Sequence, residues 1–136
     1  MANLTITDND SSTLVIGSTG IAKYQDDTFT AAGAKTFPAG TILARDSVSG
    51  KLVVFAKGGS TNENGIAKAL MGVEVTATGA GDITVRPLVS ATVNENLLVI
   101  DADGDNSNVD SGVKDQLRDY TLIVEDVQEL SSLDNQ

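Results

Sequence analysis

Apolar and polar residues alternate most regularly between Ala67 and Ala77. Every second residue of this stretch is alanine, methionine or valine, and most residues between them are polar, charged or glycine. A period of two is typical of a β-strand with one buried face. The alternation returns at Ile83 and Val85, beyond a glycine-rich segment. We therefore predict a β-hairpin over residues 66–93, joined by a tight turn, as the scaffold of the fold.

A helix is the competing interpretation of residues 64–73, because their apolar positions also fall on one helical face. Gly65 and Gly72 disfavour a helix, and the β-branched residues that follow favour a strand. The strand is therefore the prediction for this stretch.

Shorter patterns predict the other elements. Residues 41–44 and 51–55 are β-rich runs separated by turn residues. Asp110 or Ser111 can cap a short helix that ends near Asp119, and the apolar residues after it indicate a closing strand. The sequence thus predicts a mainly β fold in one small domain, with one short C-terminal helix.

Composition divides the chain into three parts. Residues 1–34, rich in small and polar residues, are predicted as an extended N-terminal arm, residues 35–126 as the β domain and residues 127–136 as an acidic C-terminal tail. The arm contains two short strand-like islands, Leu4, Thr5, Ile6 and Thr7 in the first and Leu14, Val15 and Ile16 in the second.

Two interpretations of these islands remain open. They are edge strands packed on the domain or parts of a disordered leader. Alternatively, they complete a β-sheet on another chain, because an extended segment can satisfy its backbone groups by strand addition.

Aromatic residues make up only 4% of the chain, and tryptophan is absent. The core must therefore consist mainly of valine, isoleucine, leucine and alanine, which bury less area per residue than aromatic rings. A core of this kind favours oligomerisation as an additional source of stability.

The chain contains neither cysteine nor histidine. Disulfides, thiolate metal sites and nucleophilic arrangements that need a histidine base are therefore excluded. A hydrolase with paired carboxylates stays formally open, but the acidic residues concentrate in a loop and the tail rather than on strands. We predict neither an enzyme nor a cofactor.

The formal net charge is −10 at pH 7, and most of it lies in the last quarter of the chain. Residues 1–100 hold nine acidic and seven basic residues, a difference of −2, whereas residues 101–136 hold ten acidic and two basic residues, a difference of −8. Phosphate backbones and anionic lipids repel such a chain, so neither nucleic acid nor a membrane is predicted as a direct partner. We also expect no signal peptide and no membrane span.

Asp101, Asp103 and Asp105 have the spacing of the first three ligands in a calcium-binding loop. The rest of that template fails, because Asn106 replaces the required glycine and Gly112 replaces the bidentate glutamate. These aspartates are therefore a weak candidate metal site, and a solvated acidic loop is the prediction.

Five short runs resemble, in their order and spacing, the head decoration proteins of lambda-like tailed bacteriophages. They are G-T-I-L at residues 40–43, S-G-K-L-V at 49–53, M-G-V-E-V at 71–75, D-I-T-V-R at 82–86 and V-N-E-N-L-L-V at 93–99. The capped helix and the closing strand resemble the C-terminal elements of the same family. The resemblance covers residues 35–126.

The resemblance implies a β-clip or β-tulip-like domain that forms a homotrimer on the outer surface of the virion capsid. The trimer would bind the major capsid protein at local threefold positions of the expanded capsid and stabilise it against the pressure of packaged DNA. The protein would be made in the host bacterial cytoplasm. The capsid-binding residues would be those of the two islands, Leu4, Thr5, Ile6, Thr7, Leu14, Val15 and Ile16.

The rival hypothesis is a β-rich ligand-binding module of carbohydrate-binding or adhesin-like type. It predicts a concave site in which aromatic or acidic side chains converge.

Overall fold

The computed structural model describes residues 14–16 and 22–126. Within them lie ten strands, one α-helix and a 3-10 turn at Glu95–Leu97. The elements are β1 Lys23–Tyr24, β2 Asp27–Ala31, β3 Lys35–Phe37, β4 Ile42–Arg45, β5 Leu52–Val54, β6 Ala69–Leu70, β7 Val75–Ala77, β8 Gly81–Val85, β9 Leu88–Asn94, α1 Ser111–Asp119 and β10 Leu122–Glu125. The predicted mainly β fold with one short helix near its C-terminal end is confirmed.

Eight strands form one curled sheet in the order β1, β9, β6, β4, β5, β2 and β8, with β10 added to β9. Strands β3 and β7 form a separate antiparallel pair. In the large sheet, β10 pairs with β9 in parallel, and β2 meets β5 in parallel, while the other pairs are antiparallel. Strand β9 therefore has three strand neighbours and lies at the centre of the C-terminal part of the fold.

Both faces of the central strands are buried, and each face contributes to a different core. In β4, Ile42 and Ala44 enter one core, whereas Leu43 between them enters the other. The helix-side core lies between the sheet and α1. The aromatic core contains Phe29 and Phe37, whose ring centroids are 5.1 Å apart in an edge-to-face arrangement.

The predicted hairpin over residues 66–93 is confirmed only at its base, where Leu70 of β6 lies opposite Leu88 of β9 in an antiparallel pair. The two strands next to the turn do not pair with each other. Strand β7 pairs with β3, where Val75 lies opposite Phe37, and β8 pairs with β2, where Ile83 lies opposite Phe29. The two strands around the glycine-rich turn thus belong to different sheets. Burial of two phenylalanine rings from earlier in the chain selects these partners, and an alternating pattern carries no information about the neighbouring strand.

Two residues also break the alternation predicted around this turn. Leu70 was expected on the outer face but is fully buried, because β6 is a central strand that contacts both cores. Val73 was expected on the inner face but is 55% exposed in a bend between β6 and β7. No helix forms over residues 64–73, all of which the structure describes.

Strand β2 lies within the range predicted as the N-terminal arm. Its Phe29 is fully buried in the aromatic core, and its Asp27 accepts a hydrogen bond of 2.7 Å from Arg45 of β4. The described sheet thus begins before residue 35. The division of the whole chain into arm, domain and tail stays a prediction.

Helix α1 begins at Ser111, directly after the predicted capping residue Asp110. Asp110 is its N-cap, and the Asp110 Oδ1 atom accepts a hydrogen bond of 3.0 Å from the Val113 amide. Val113 and Leu117 are buried against the sheet. The closing strand follows as β10, which confirms this part of the prediction. Among the described residues, no helix is long and apolar enough to cross a membrane.

Candidate functional site

The second strand-like island of the sequence, residues 14–16, lies along strand β9 of its own chain. The Ile16 amide donates a hydrogen bond of 2.9 Å to the Thr92 carbonyl, and the Asn94 amide donates one of 2.8 Å to the Leu14 carbonyl. The side chains of this segment are half-buried, and its first two residues pack against the helix-side core. We call residues 14–16 the clip.

The clip and β10 cover opposite edges of β9. Val15 lies opposite Val93 in an antiparallel bridge, whereas β10 runs parallel to the same part of β9. Backbone groups of consecutive strand residues point to alternate edges, and the residues of β9 that bond the clip are Thr92 and Asn94. Ala91, one position earlier, instead donates towards the start of β10. The C-terminal half of β9 is therefore paired on both sides.

Both terminal segments are attached beside Asn94. The clip is antiparallel to β9, and its first residue, Leu14, accepts a hydrogen bond from the Asn94 amide. Strand β10 is parallel to β9, and its last residue, Glu125, pairs with Asn94. Neighbouring strands are about 4.8 Å apart, so Leu14 and Glu125 lie about 10 Å from each other across β9. The first residue of the clip and the last residue of β10 thus lie at one place, which we call the terminal end.

Polar contacts fix the backbone at the terminal end. Asn94 is fully buried, and its side-chain oxygen accepts a hydrogen bond of 3.0 Å from the Asn96 amide, which caps the 3-10 turn. The Asn96 side chain in turn lies 3.4 Å from an Asp126 carboxylate oxygen. Glu95 pairs with Lys114 of α1 at 2.8 Å. The 3-10 turn and α1 therefore hold the backbone around Asn94 in position.

The first island, Leu4, Thr5, Ile6 and Thr7, lies outside the described residues. Leu4 and Leu14 are ten positions apart in the chain. An extended chain spans at most about 3.5 Å per residue, so Leu4 can reach a partner up to roughly 35 Å from the clip.

The three aspartates of the weak metal candidate do not converge. Each interacts with a different partner, which is Lys35 for Asp101, Asn108 for Asp103 and Ser107 for Asp105. Hydrogen bonds from the Ser107 side chain and backbone amide hold the pKa of Asp105 below its usual value. Within the part of the chain that the structure describes, no cluster of three acidic, histidine or cysteine residues could hold a metal ion.

Three grooves on the described surface are lined mainly by small, charged or aliphatic residues. One of about 290 Å³ borders Phe37, another of about 510 Å³ borders Ile100 and Lys57, and a third of about 210 Å³ lies between α1 and β10. Phe37 is the one aromatic residue among their linings. Each groove also has a single acidic residue in its lining, so these three grooves lack the aromatic or acidic convergence that the ligand-binding hypothesis predicts.

For residues 14–16 the structure shows the first of the two open interpretations, a strand-like segment packed on its own domain. Sequence reasoning identified neither β9 as its partner nor the shared attachment of both terminal segments. The strand-like character of Leu14, Val15 and Ile16 was visible, but β9 lies more than seventy residues later in the chain. Apolar β-branched residues predict a strand and leave its partner open. No local signal could have identified this pairing.

The family model described as bacteriophage lambda head decoration protein D matches residues 4–120, which include the first island, the clip, strands β1 to β9 and α1. No curated protein matches the chain.

Proposed function

The chain belongs to the family of bacteriophage lambda head decoration protein D, and on that premise we propose that it binds the outer surface of the expanded capsid as a homotrimer at local threefold positions. Its partner is the major capsid protein, and its role is to stabilise the head against the outward pressure of packaged DNA. The observation that carries the proposal is the family match over residues 4–120. The family is one of structural phage proteins of the capsid surface, not a known enzyme family.

The capsid contact that we propose is strand addition by Leu4, Thr5, Ile6 and Thr7. In an extended conformation Leu4 and Ile6 face one side and the two threonines face the other. Backbone hydrogen bonds to an edge strand of a capsid protein would provide affinity, and apolar pockets for Leu4 and Ile6 would provide specificity.

A trimer makes these contacts effective through avidity. The three N-terminal arms of one trimer bind neighbouring capsid subunits. Once one arm is bound, the effective concentration of the other two at the capsid surface is raised. Bridged subunits resist separation when the shell is pushed outward. No catalytic step is required, and an external position suits an acidic chain that phosphate backbones repel.

Binding to heads tests the proposal directly. Purified protein is added to expanded heads that lack decoration, and the particles are imaged by electron microscopy while sedimentation gives the oligomeric state of the free protein. We expect trimeric density at the local threefold positions. Absence of density there, at protein concentrations at which a known decoration protein fills these positions on its own heads, would refute the proposed function.

Variants of the first island test the arm. Leu4→Ser with Ile6→Ser removes two buried apolar contacts of about 1.5–3 kcal/mol each, so head binding should weaken at least tenfold. Thr5→Ser with Thr7→Ser changes the opposite face by one methyl group per residue and should bind nearly as wild type. Equal binding by both double variants would argue against strand addition by these residues.

A further inference from the structure

Five large hydrophobic side chains are exposed on the surface of the described residues, and four of them lie in two patches beside β9. The fifth, Val48, is 80% exposed in the turn between β4 and β5, outside both patches. The β1 patch consists of Lys23, Tyr24 and Val73, and the β10 patch consists of Asp119, Tyr120, Ile123 and Glu125.

We propose that the β1 patch of one copy binds the β10 patch of the next copy, and that three such contacts close the trimer. This inference rests on the proposed function, which includes a homotrimer but names no contact between its subunits. The two patches lie on opposite sides of β9. Strands β1 and β6 flank β9, and Tyr120 lies on the β6 side, where the Lys68 ammonium is 5.4 Å from its ring centroid. One copy can therefore contact two neighbours at once.

The β1 patch is a preorganised apolar surface around Tyr24. A Cβ atom on Gly72 would lie 2.7 Å from Tyr24 Cε2, so the ring packs directly on the glycine backbone. Tyr24 is still 41% exposed, and Val73, which follows Gly72, is 55% exposed. An aromatic side chain that is already held in place loses little conformational entropy when a partner covers it. Tyrosine is also enriched among the residues that contribute most to binding at interfaces.

The β10 patch is held by the turn between α1 and β10. Thr121 has a φ of +67°, and its hydroxyl oxygen lies 2.8 Å from the Val89 carbonyl oxygen of β9. This turn fixes Tyr120 relative to the start of β10. Ile123 and Glu125 are both exposed and share one face of β10, because residues two apart lie on the same side of a strand. The patch thus combines apolar side chains with a carboxylate.

The charges of the two patches are complementary. Eight of the nine basic residues form ion pairs with acidic residues of the chain, and Lys23 is the exception among the described residues. Asp119 and Glu125 have no ion-pair partner in the described part of the chain either. Salt bridges between copies would therefore break no ion pair within a copy. Glu74, next to Val73, is exposed and offsets part of this attraction.

The same charges favour a ring over a twofold dimer. In an isologous contact a patch meets its own copy, which would bring like charges together in either patch. A contact between two different patches is heterologous, and it closes into a trimer when three copies complete one full rotation. Complementary charge and exposed apolar area thus point to the same head-to-tail contact.

Cross-linking of two single-cysteine variants tests which patches meet. Gln25→Cys lies next to Tyr24, and Asp119→Cys lies next to Tyr120, so both variants keep the apolar side chains of the patches. The chain has no cysteine of its own. The two variants are unfolded, mixed in equal amounts and refolded, and a short bismaleimide is added. We expect covalent dimers on a denaturing gel from the mixture and none from either variant alone. Val48→Cys mixed with Asp119→Cys is the matched control and should give none.

Sedimentation of the same samples gives each outcome a definite meaning. Dimers from one variant alone would show an isologous contact, and a trimeric mixture without dimers would place the interface elsewhere. Either result overturns the proposal. If wild-type protein sediments as a monomer, the proposed trimer fails and its contact fails with it, while electron microscopy of heads still decides whether the protein decorates them.

Substitutions in the patches provide a second measurement that needs no refolding. Tyr24→Ser and Ile123→Ser each remove an apolar contact from all three interfaces, so the concentration at which the trimer dissociates should rise at least tenfold. Val48→Ser should leave this concentration within about twofold of wild type. Circular dichroism confirms that each variant is folded. Unchanged dissociation in both patch variants would overturn the proposal, as would a loss of head binding by a variant whose trimer is intact.

Charge reversal tests the polar part of the contact. Lys23→Glu places a third acid in the interface and should weaken the trimer. Combining it with Asp119→Lys and Glu125→Lys reverses both patches and should restore most of the trimer. If the triple variant dissociated as readily as Lys23→Glu alone, these charges would not face each other, and the proposed pairing of the patches would be wrong.

Discussion

Gly40 lies where the loop before β4 meets the clip and the 3-10 turn. Its φ is +98°, and a Cβ atom at this position would lie 2.1 Å from the Leu97 carbonyl oxygen and 3.6 Å from Leu14. Its amide donates to the Met71 carbonyl at 2.8 Å, and its carbonyl accepts from the Val99 amide at 3.0 Å. Only glycine combines this backbone conformation with so close an approach.

Gly40→Ala should therefore lower the free energy of unfolding by about 2–4 kcal/mol, since left-handed strain and steric overlap add. Chemical denaturation monitored by circular dichroism gives the value. Gly79→Ala is the matched control, because no atom lies within 4 Å of a Cβ there and its φ is not positive. Equal losses in the two variants would contradict this account of Gly40.

At the scale of elements, the stability of α1 depends on Asp110, the residue that precedes it. Asp110 accepts the Val113 amide at 3.0 Å and also forms an ion pair of 2.6 Å with Lys57. The Lys57 hydrogen bond first, and the backbone bond from Val113 second, hold the pKa of Asp110 below its ordinary value. Two separable interactions thus meet on one side chain.

Asp110→Ala removes both interactions and should lower the Tm by roughly 3–5 °C, the usual effect of losing an N-cap in a domain of this size. Asp110→Asn keeps an oxygen acceptor for the Val113 amide, so its Tm should lie much closer to that of wild type. Thermal unfolding followed by circular dichroism compares them. If the asparagine variant lost as much as the alanine variant, the ion pair with Lys57 rather than the cap would be the dominant interaction.

The sequences of β7 and β8 specify that these segments are strands, but they do not specify which strands they pair with. Residues 75–77 and 81–85 have strand patterns, and both are strands. Their separate partners, β3 and β2, follow from where Phe37 and Phe29 are buried. A strand gains its stability from cross-strand neighbours, so its pairing is decided by the packing of the whole core.

At the scale of the whole molecule, the net charge of −10 complicates any effect of acid. Protonation of carboxylates relieves self-repulsion, but it also removes favourable contacts. One such contact joins Asp27 of β2 to Arg45 of β4. Partial burial acts to raise the pKa of Asp27, yet hydrogen bonds from Arg45 and from the Thr28 amide outweigh it and hold this pKa below its ordinary value. A comparison of variants isolates this pair from the general charge effect.

A carboxyl group whose pKa is lowered on folding stabilises the fold above its unfolded pKa of about 3.9, and this stabilisation is lost as pH falls through the folded value. Arg45→Gln should therefore destabilise the protein at pH 7 by about 1 kcal/mol, a figure kept small because the Arg45 side chain is 40% exposed. The difference in unfolding free energy from wild type should shrink below about pH 4 as Asp27 is protonated. What remains is due to the hydrogen bond of 2.8 Å from Arg45 to the Gly50 carbonyl, which does not depend on Asp27.

Denaturation at a series of pH values measures this difference. Lys51→Gln is the matched control, because both members of its pair with Asp82 are more than 40% exposed, and it should have a smaller effect. A difference between Arg45→Gln and wild type that persisted undiminished at pH 2 would show that the ion pair with Asp27 is not its source.

The sequence by itself determined the chemistry that the protein lacks, the strand and helix character of most segments, and the family. Missing cysteine and histidine, the cap at Asp110 and the order of the strand motifs are all properties of composition or of short windows. Local backbone preferences and burial periodicity act over such windows, so they can be recognised without a structure.

Only the tertiary structure decided which strands are neighbours and what the second island does. The clip on β9, the separation of β7 from β8 and the attachment of both terminal segments beside Asn94 all join residues far apart in the chain. These pairings depend on the simultaneous burial of side chains from many segments in two cores. The pattern of residues in a short window does not reveal this collective packing energy. For this reason the strand-like residues 14–16 could be identified from sequence while their partner could not.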